Sequence, residues 1–342
     1  MISTEIGIDL GTANILVYLK GKGIVLDEPS VIAVDSKTGN VLAVGLEAKH
    51  MIGRTPGNIS AIRPVKEGVI ANYDYTQSMI KYVISKTAAG GNRFFKRVRA
   101  VVCVPSGVTA VEERAVREST LSAGAHEAYL IEEPMAAALG ANIDVMEPHG
   151  NMIIDIGGGT TEVAIISLGG IVALRSIRVA GDAMDTAIIN HVRRTYNLHI
   201  GERTAEDIKI NIGGAKLDSN YLDKHIEIGG RDTTNGLPRT AVISAREICL
   251  ALSETTEQII DAVKSCLEKV PPELMSDVMD RGIILTGGGS LIYGLDKVIA
   301  DETDLCVHYA EKPLNSVVLG TGKVLENFEA TKRVLRPGRA RY

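Results

Sequence analysis

Short apolar runs that end in glycine-rich turns alternate with amphipathic stretches along the whole chain. Residues 6–10 and 152–156 are apolar runs, each followed by such a turn and then by a second apolar run, which is the pattern of a β-hairpin. Apolar residues recur at helical spacing over 74–88, 183–196 and 204–212, so these stretches are predicted to be helices. Because strands and helices alternate in both halves, the sequence predicts an α/β protein with buried sheets.

Capping and helix-breaking residues place further elements. Thr109 with Glu112 and Ser244 with Glu247 form capping boxes that predict two helix starts, the second helix running to about residue 269. Pro134 fits the first turn of a short helix over 135–141. Further strands are predicted near 24–34, 41–45, 99–104, 128–132, 162–167, 171–179, 282–285 and 305–309, and further helices near 291–300 and 316–328. The segment 53–64 is predicted to be a loop, and 214–240 an exposed hairpin.

Composition narrows the class of protein. The chain has 342 residues, 45% of them apolar, and a net charge of −5, which allows a large core and argues against a nucleic-acid-binding surface. No C-x-x-C pair is present, and Cys103 is predicted to be a reduced thiol in the core. Strand pattern begins by Ile6 and no apolar run approaches the roughly 20 residues of a membrane span, so the protein is expected to be cytoplasmic.

The two predicted hairpins carry nearly the same motif. One reads Ile-Gly-Ile-Asp-Leu-Gly-Thr-Ala-Asn over 6–14, and the other reads Ile-Ile-Asp-Ile-Gly-Gly-Gly-Thr-Thr over 153–161. A turn without Cβ atoms lets backbone N–H groups approach an anion. An aspartate beside it, here Asp9 or Asp155, can hold a divalent cation through water, as magnesium prefers. Two such hairpins in duplicated halves are expected to grip a nucleoside triphosphate from both sides.

A third glycine cluster, Thr286-Gly287-Gly288-Gly289-Ser290-Leu291, lies between a predicted strand and a predicted helix. It is similar to nucleotide-binding turns in which a base or ribose lies against bare backbone. The alternative is a tight strand-to-helix connection with Ser290 as the N-cap. Gly320-Thr321-Gly322-Lys323 is not a Walker loop, because the first glycine is missing and Val324 stands where Ser or Thr should follow. The three glycine clusters together favour nucleotide binding.

These motifs resemble the actin-like ATPase superfamily, and longer ones resemble the MreB/Mbl family of bacterial actins over residues 6–325. The longer motifs are Glu28-Pro29-Ser30, Met51-Ile52-Gly53-Arg54-Thr55-Pro56, Ile62-Arg63-Pro64, Leu130-Ile131-Glu132-Glu133-Pro134, Ile200-Gly201-Glu202-Arg203-Thr204-Ala205-Glu206 and Pro271-Pro272-Glu273-Leu274. Residues 3–18 are similar to the MreB-homologue branch. The resemblance implies an α/β actin-like ATPase fold with two duplicated domains around an interdomain nucleotide cleft. Domain I would comprise 1–146 plus 314–342, with a small subdomain at about 33–65, and domain II 147–313, with a small subdomain at about 182–244.

The resemblance also implies roles for individual residues. ATP would be bound by two phosphate loops and an adenosine pocket, made of Gly11, Thr12, Ala13, Asn14, Gly157, Gly158, Gly159, Thr160, Glu206, Asp207, Lys209, Gly287, Gly288, Gly289, Ser290 and Leu291. Asp9 and Asp155 would order the water molecules around Mg²⁺. Glu133, rather than its neighbour Glu132, is expected to position the attacking water. Without the resemblance, the two acids would be read as solvated residues in the first turn of a helix.

Phe94 and Phe95 lie side by side among three basic residues in the segment 90–97. The pair either folds back on the core or, as the resemblance implies, inserts into a membrane. By resemblance the protein is a weak ATPase whose homopolymer filaments lie at the inner face of the cell membrane. There they would direct the cell-wall elongation machinery and maintain rod shape, without a nucleic-acid partner. The alternative is a sugar or acetate-type kinase of the same superfamily, although no acceptor site beyond Glu132 and Glu133 is evident.

Overall fold

The computed structural model describes residues 3–54, 57–88, 97–218, 221 and 223–336. The strands are β1 Ser3–Leu10, β2 Asn14–Leu19, β3 Gly23–Pro29, β4 Ile32–Asp35, β5 Val41–Val44, β6 Ile59–Ile62, β7 Val65–Lys66, β8 Val69–Ile70, β9 Arg97–Val104, β10 Glu127–Glu132, β11 Asn151–Ile156, β12 Thr161–Ser167, β13 Gly170–Ile177, β14 Leu198–His199, β15 His225–Asp232, β16 Pro238–Ser244, β17 Ile283–Thr286 and β18 Val307–Tyr309.

The helices connect these strands along the chain. They are α1 Leu46–Met51, α2 Tyr73–Ala88, α3 Ala110–Ser122, α4 Glu133–Gly140, α5 Gly181–Tyr196, α6 Glu202–Ile212, α7 Ala245–Ala251, α8 Ser253–Leu267, α9 Pro272–Arg281, α10 Leu295–Thr303, α11 Ser316–Glu326 and α12 Phe328–Thr331, with 3₁₀ turns at Gly288–Leu291, Pro313–Asn315 and Lys332–Val334. None of the described helices is long and apolar enough to cross a membrane.

Two five-stranded sheets have the same topology. The first has the order β10-β9-β1-β2-β3, and the second has the order β18-β17-β11-β12-β13. In each, the first strand of the glycine-turn hairpin pairs antiparallel with its hairpin partner and parallel with a later strand. The duplicated α/β architecture predicted from the sequence is therefore confirmed.

The two sheets share a buried core. Strand β9 alternates its side chains between two apolar clusters, so that Val102 faces the cluster around α2 and Val101 faces the second sheet. In the shared cluster, Val101 and Ile131 of the first sheet lie with Ile153 and Ala164 of the second. Cys103 is buried in the same cluster, as predicted. This layer fixes one sheet against the other.

Each sheet has a smaller neighbour. The sheet β5-β4-β6 packs with α1, and the sheet β14-β15-β16 packs with α5 and α6. Late in the chain, α11 returns to α4 and β1 so closely that a Cβ added at Gly320 would lie 1.8 Å from the Ala136 carbonyl oxygen. The segment that resembles part of a Walker loop is thus the packed face of a helix. The domain boundaries proposed from the sequence stay predictions.

Local chemistry explains where element bounds differ from those predicted. The stretch 24–34 is two strands, since β3 ends at Pro29 and β4, which belongs to a different sheet, begins at Ile32. The predicted loop 53–64 contains the strand β6, which pairs with β4. The long helix predicted from residue 245 is interrupted at Leu252, whose carbonyl oxygen accepts a hydrogen bond of 2.7 Å from the Thr255 hydroxyl.

Capping chemistry accounts for the starts of α2, α3 and α7. Both predicted capping boxes are present, with Thr109 and Ser244 accepting hydrogen bonds from the backbone N–H groups three residues on. Helix α2 begins at Tyr73 rather than at residue 74, because Asn72 Oδ1 accepts a hydrogen bond of 3.1 Å from the Tyr75 N–H.

Candidate functional site

The turns of the two matched hairpins lie against one another. A Cβ atom added at Gly158 would lie 2.8 Å from Ala13 Cβ, and one added at Gly159 would lie 2.7 Å from Thr12 Oγ1. Any side chain at either glycine would push the turns apart, so the close approach depends on bare backbone. The structure thus brings together the two phosphate loops predicted from separate parts of the sequence.

A third segment completes this contact. The hairpin β7–β8 turns through Glu67 and Gly68, both with positive φ, as a two-residue hairpin turn requires. The Gly68 N–H donates to Thr12 Oγ1 at 3.3 Å, and a Cβ added there would lie 2.6 Å from Thr160 Cγ2. The turn therefore lies over both phosphate loops. Sequence analysis missed it, because Glu67-Gly68 has the composition of an ordinary hairpin.

The N-terminus of α5 supports the second phosphate loop. The Gly181 N–H donates to the Gly157 carbonyl at 3.2 Å, and the Asp182 N–H donates to the Gly158 carbonyl at 2.7 Å. Lys209 Nζ donates to the Gly181 carbonyl at 3.0 Å and forms an ion pair with Asp185. Lys209 therefore lies beside the loop, held by groups on α5.

The other predicted residues of α6, and Asn14, have different surroundings. Glu206 forms an ion pair of 3.2 Å with Lys49, which belongs to α1 and so to the opposite half of the chain. Asp207 is exposed. Asn14 Nδ2 donates to Asp27 at 2.9 Å, so this side chain is tied to β3. Their roles in nucleotide binding stay predictions.

Four carboxyl groups form an acidic cluster, which we define as Asp9, Glu133, Asp155 and Glu162. Burial, followed by the charges of Asp155 and Asp27, raises the pKa of Asp9 to about 8. Burial also raises the pKa of Asp155 to about 6 and that of Glu162 to about 7. Burial first, and then the charge of Glu162, raises the pKa of Glu133 well above its usual value. In each group the exclusion of water disfavours the charged form, and for Asp9, Glu133 and Glu162 nearby carboxylates raise the pKa further.

Hydrogen bonds orient two members of the acidic cluster. Thr286 Oγ1 donates to Asp155 Oδ1 at 2.9 Å, linking the second phosphate hairpin to the third glycine cluster. The Ser106 N–H and hydroxyl donate to Glu162 at 2.9 and 3.1 Å. Glu162 was missed, although its place directly before the apolar run 163–166 was an available signal, since a buried acid needs a partner.

The acidic cluster fits a divalent cation held through water. A nearby cation would favour the charged forms of carboxyl groups whose pKa is now raised. Within the described residues, no group of three or more His, Cys, Asp and Glu side chains could hold a metal ion directly. Magnesium commonly keeps several of its waters, so this arrangement suits the water-mediated role expected of Asp9 and Asp155.

The neighbouring acids Glu132 and Glu133 have different environments. Glu132, the last residue of β10, accepts a hydrogen bond of 2.6 Å from Arg336. Glu133, the first residue of α4, is buried and interacts with the other members of the acidic cluster. An ion pair already engages Glu132, and this difference favours Glu133 as the group that positions water.

The third glycine cluster packs against the end of β11. Gly287 has a φ of +81°, and a Cβ added there would lie 2.3 Å from the Ile156 carbonyl oxygen. Ser290 is buried, and its hydroxyl donates to the Gly287 carbonyl at 2.7 Å, whereas Leu291 is exposed. Ser290 does not cap the following helix, which begins at Leu295 after Gly294. The alternative reading of this motif as an N-cap is therefore wrong.

The predicted membrane-contacting residues Phe94 and Phe95 lie outside the described part of the chain. Their role stays a prediction from sequence.

Comparison with known proteins points to one family. A family model described as MreB/Mbl protein matches residues 3–333. The chain is 50% identical over 337 residues to the cell shape-determining protein Mbl of Bacillus cereus, covering 98% of this chain and 100% of the relative. It is 51% identical over 331 residues to the cell shape-determining protein MreB of Escherichia coli, covering 95% of this chain and 94% of the relative.

Solved structures give the same result. MreB5 of Spiroplasma citri, 40% identical in sequence, superposes with TM-scores of 0.90 in its ADP-bound form and 0.91 in its AMPPNP-bound form. These alignments cover 96% and 97% of this chain and 98% of each solved chain. The similarity therefore extends to the arrangement of the whole fold.

Proposed function

The chain belongs to the MreB/Mbl family of bacterial actins, and we propose that it is a cytoskeletal ATPase whose filaments determine cell shape. Its relatives in Bacillus cereus and Escherichia coli are cell shape-determining proteins, which favours this function over a small-molecule kinase. The structural observation that carries the proposal is the contact between the two phosphate loops, Gly158 on Ala13 and Gly159 on Thr12.

ATP is the substrate that suits these loops. Backbone N–H groups of the turns would bind the terminal phosphates, and the third glycine cluster would form the floor of the adenosine pocket. The solved MreB5 relatives are bound to ADP and AMPPNP, which supports an adenine nucleotide here. Magnesium, when bound, neutralises charge on the phosphates. Asp9 and Asp155 would orient its water molecules.

Hydrolysis would depend mainly on positioning. Glu133 is buried beside the other members of the acidic cluster and would accept a hydrogen bond from the attacking water. Phosphoryl transfer requires little covalent chemistry from the protein, so a carboxylate that orients water is sufficient. The expected activity is a weak ATPase coupled to assembly.

Closure of the cleft would couple nucleotide binding to filament assembly. Arg63 with Asp182, and Lys49 with Glu206, are ion pairs that join the two halves of the chain. A nucleotide held between the loops would favour the conformation in which these pairs form. Filaments would then assemble from closed monomers and change on hydrolysis.

The membrane is the expected site of these filaments. Phe94 and Phe95, with the basic residues around them, suit weak insertion of each monomer into an anionic inner leaflet. A filament that displays many such segments would bind tightly through effective concentration. We therefore propose a peripheral location at the inner face of the cell membrane, with the cell-wall elongation machinery as the partner.

Electron microscopy of the purified protein on a lipid monolayer, with and without MgATP, tests the proposal together with phosphate release. Filaments with release of phosphate to water are expected. A parallel assay with sugars and acetate would overturn it if a phosphorylated product formed without any polymer.

A further inference from the structure

We propose that Arg336, near the end of the chain, is a positioning residue for ATP hydrolysis. Its guanidinium lies among three acceptors: it forms ion pairs with Glu113 and Glu132 and donates to the Ser106 carbonyl at 3.3 Å. An arginine offers five donors in a planar fork, so a single side chain can hold these groups in fixed relative positions. None of these contacts involves a residue assigned above to nucleotide binding.

The first route from Arg336 to the site runs through Glu132. This residue is the N-cap of α4, and Glu133, which we expect to position water, follows it directly. The side chain of Glu132 makes no capping hydrogen bond within the helix. Its partner is Arg336, at 2.6 Å, so the ion pair fixes the start of the helix from outside.

The second route runs through Ser106. The Ser106 carbonyl accepts from Arg336, while its N–H and hydroxyl donate to Glu162. Glu162 is a fully buried member of the acidic cluster. Among the charges that raise the pKa of Glu133, that of Glu162 has the largest effect. Ser106 thus connects Arg336 with Glu162, the carboxyl group that lies next to Glu133 in the electrostatics of the acidic cluster.

The backbone around Arg336 is itself anchored. Val334 and Leu335 are buried in the core shared by the two sheets, and the Arg336 N–H donates to the Leu130 carbonyl on β10 at 2.9 Å. The guanidinium is therefore presented from a fixed point. Loss of it would leave two half-buried carboxylates, Glu113 and Glu132, without a counter-ion, and they would move apart.

This inference rests on the proposed ATPase function. It predicts that Arg336→Ala lowers the single-turnover rate of ATP hydrolysis about tenfold, while the Kd for MgATP changes by less than about threefold. Arg336→Lys should recover part of the rate, because an ammonium group can pair with one carboxylate but cannot hold all three acceptors. Lys332→Ala, which removes a positive charge from an exposed position nearby, is the matched control and should behave as wild type.

The measurements are rapid-quench hydrolysis, equilibrium nucleotide binding and thermal melting of the full chain. Glu132→Gln should lower the rate like Arg336→Ala, and the double variant should be no slower than either, since both remove one interaction. If Arg336→Ala fails to fold, Arg336→Lys and Glu132→Gln carry the same test. If wild type hydrolyses ATP and these variants do so at the same rate, the role of Arg336 is overturned while the proposed ATPase function stands. No hydrolysis by wild type would overturn the proposed ATPase, and this role with it.

Discussion

Arg63 and Asp182, which lie in opposite halves of the chain, are joined by a hydrogen bond of 2.7 Å. The Asp182 N–H also donates to the Gly158 carbonyl in the second phosphate loop. A contact across the cleft therefore ends on the backbone that would hold phosphate. Opening the cleft would break this ion pair, whereas the hydrogen bond between Asp182 and Gly158 lies within one half of the chain and would remain.

We expect Arg63→Ala to speed nucleotide release. Both side chains are partly exposed, so the ion pair should contribute about 1 kcal/mol or less, which corresponds to roughly a fivefold faster release. Stopped-flow displacement of a fluorescent ATP analogue measures this rate. Arg203→Ala removes an exposed arginine from α6 and is the control. A release rate equal to that of the control would show that the ion pair does not restrain opening.

Gly158→Ala should weaken MgATP binding at least tenfold. The added methyl would lie 2.8 Å from Ala13 Cβ and 3.2 Å from the Ala13 backbone nitrogen, so the two phosphate loops must separate. Gly107→Ala, where an added Cβ has no heavy atom within 4 Å, is the matched control. Calorimetric titration of both variants compares their affinities. Equal affinity would mean that the contact between the loops does not shape the site.

The two glycine-rich hairpin turns, whose phosphate-binding role stays a prediction, could be predicted from sequence because their signal is local. Three consecutive glycines in a β-favouring stretch lose chain entropy without a packing gain, and the same short motif occurs twice. The duplicated α/β architecture followed from the same repeat, whereas the order of the strands in each sheet was not predicted. Capping boxes were equally local, and both were found where they were predicted.

The rest of the site depends on contacts between distant segments. Glu67 and Gly68 form an ordinary hairpin turn until the fold places them on Thr12 and Thr160. Likewise, Arg336 reaches Glu132 from 204 residues away, and no periodicity marks that pairing. Spacing within one element predicts that element, whereas such contacts depend on how the elements pack.

The acidic cluster predicts a pH dependence of stability. Asp9, Glu162 and Asp155 have pKa values of about 8, 7 and 6, raised by burial. Because the folded protein holds these protons more tightly than the unfolded chain, the free energy of unfolding should fall as pH rises from about 4 to about 8.

Thermal melting of nucleotide-free protein in magnesium-free buffer measures this effect. Asp9→Asn removes a group whose pKa burial raises to about 8, so its melting temperature should decline less than that of wild type between pH 6 and 8. Parallel declines would contradict the raised pKa of Asp9.

Glu133→Gln should lower the hydrolysis rate about 100-fold or more and leave MgATP binding nearly unchanged. The amide keeps the size of the side chain but is a poorer acceptor for the attacking water, and general-base groups typically contribute factors of ~10²–10⁴. Single-turnover hydrolysis and equilibrium binding separate the two effects. Glu132→Gln is the comparison, and a larger loss there than at Glu133 would reverse the assignment between the neighbouring acids.

The Phe94→Ala, Phe95→Ala double variant should lose most of its filament binding to anionic vesicles. Burying two phenylalanines contributes roughly 3–6 kcal/mol before ordering costs, and each nearby cation adds about 1 kcal/mol. Since effective concentration multiplies this weak contact along a filament, the loss should appear in MgATP-assembled polymer. Vesicle co-sedimentation measures it, with polymerisation in solution followed separately. Leu168→Ala, Met279→Ala removes two exposed apolar side chains elsewhere and is the control. If the double variant co-sediments as well as this control, the phenylalanine pair is not what binds the membrane.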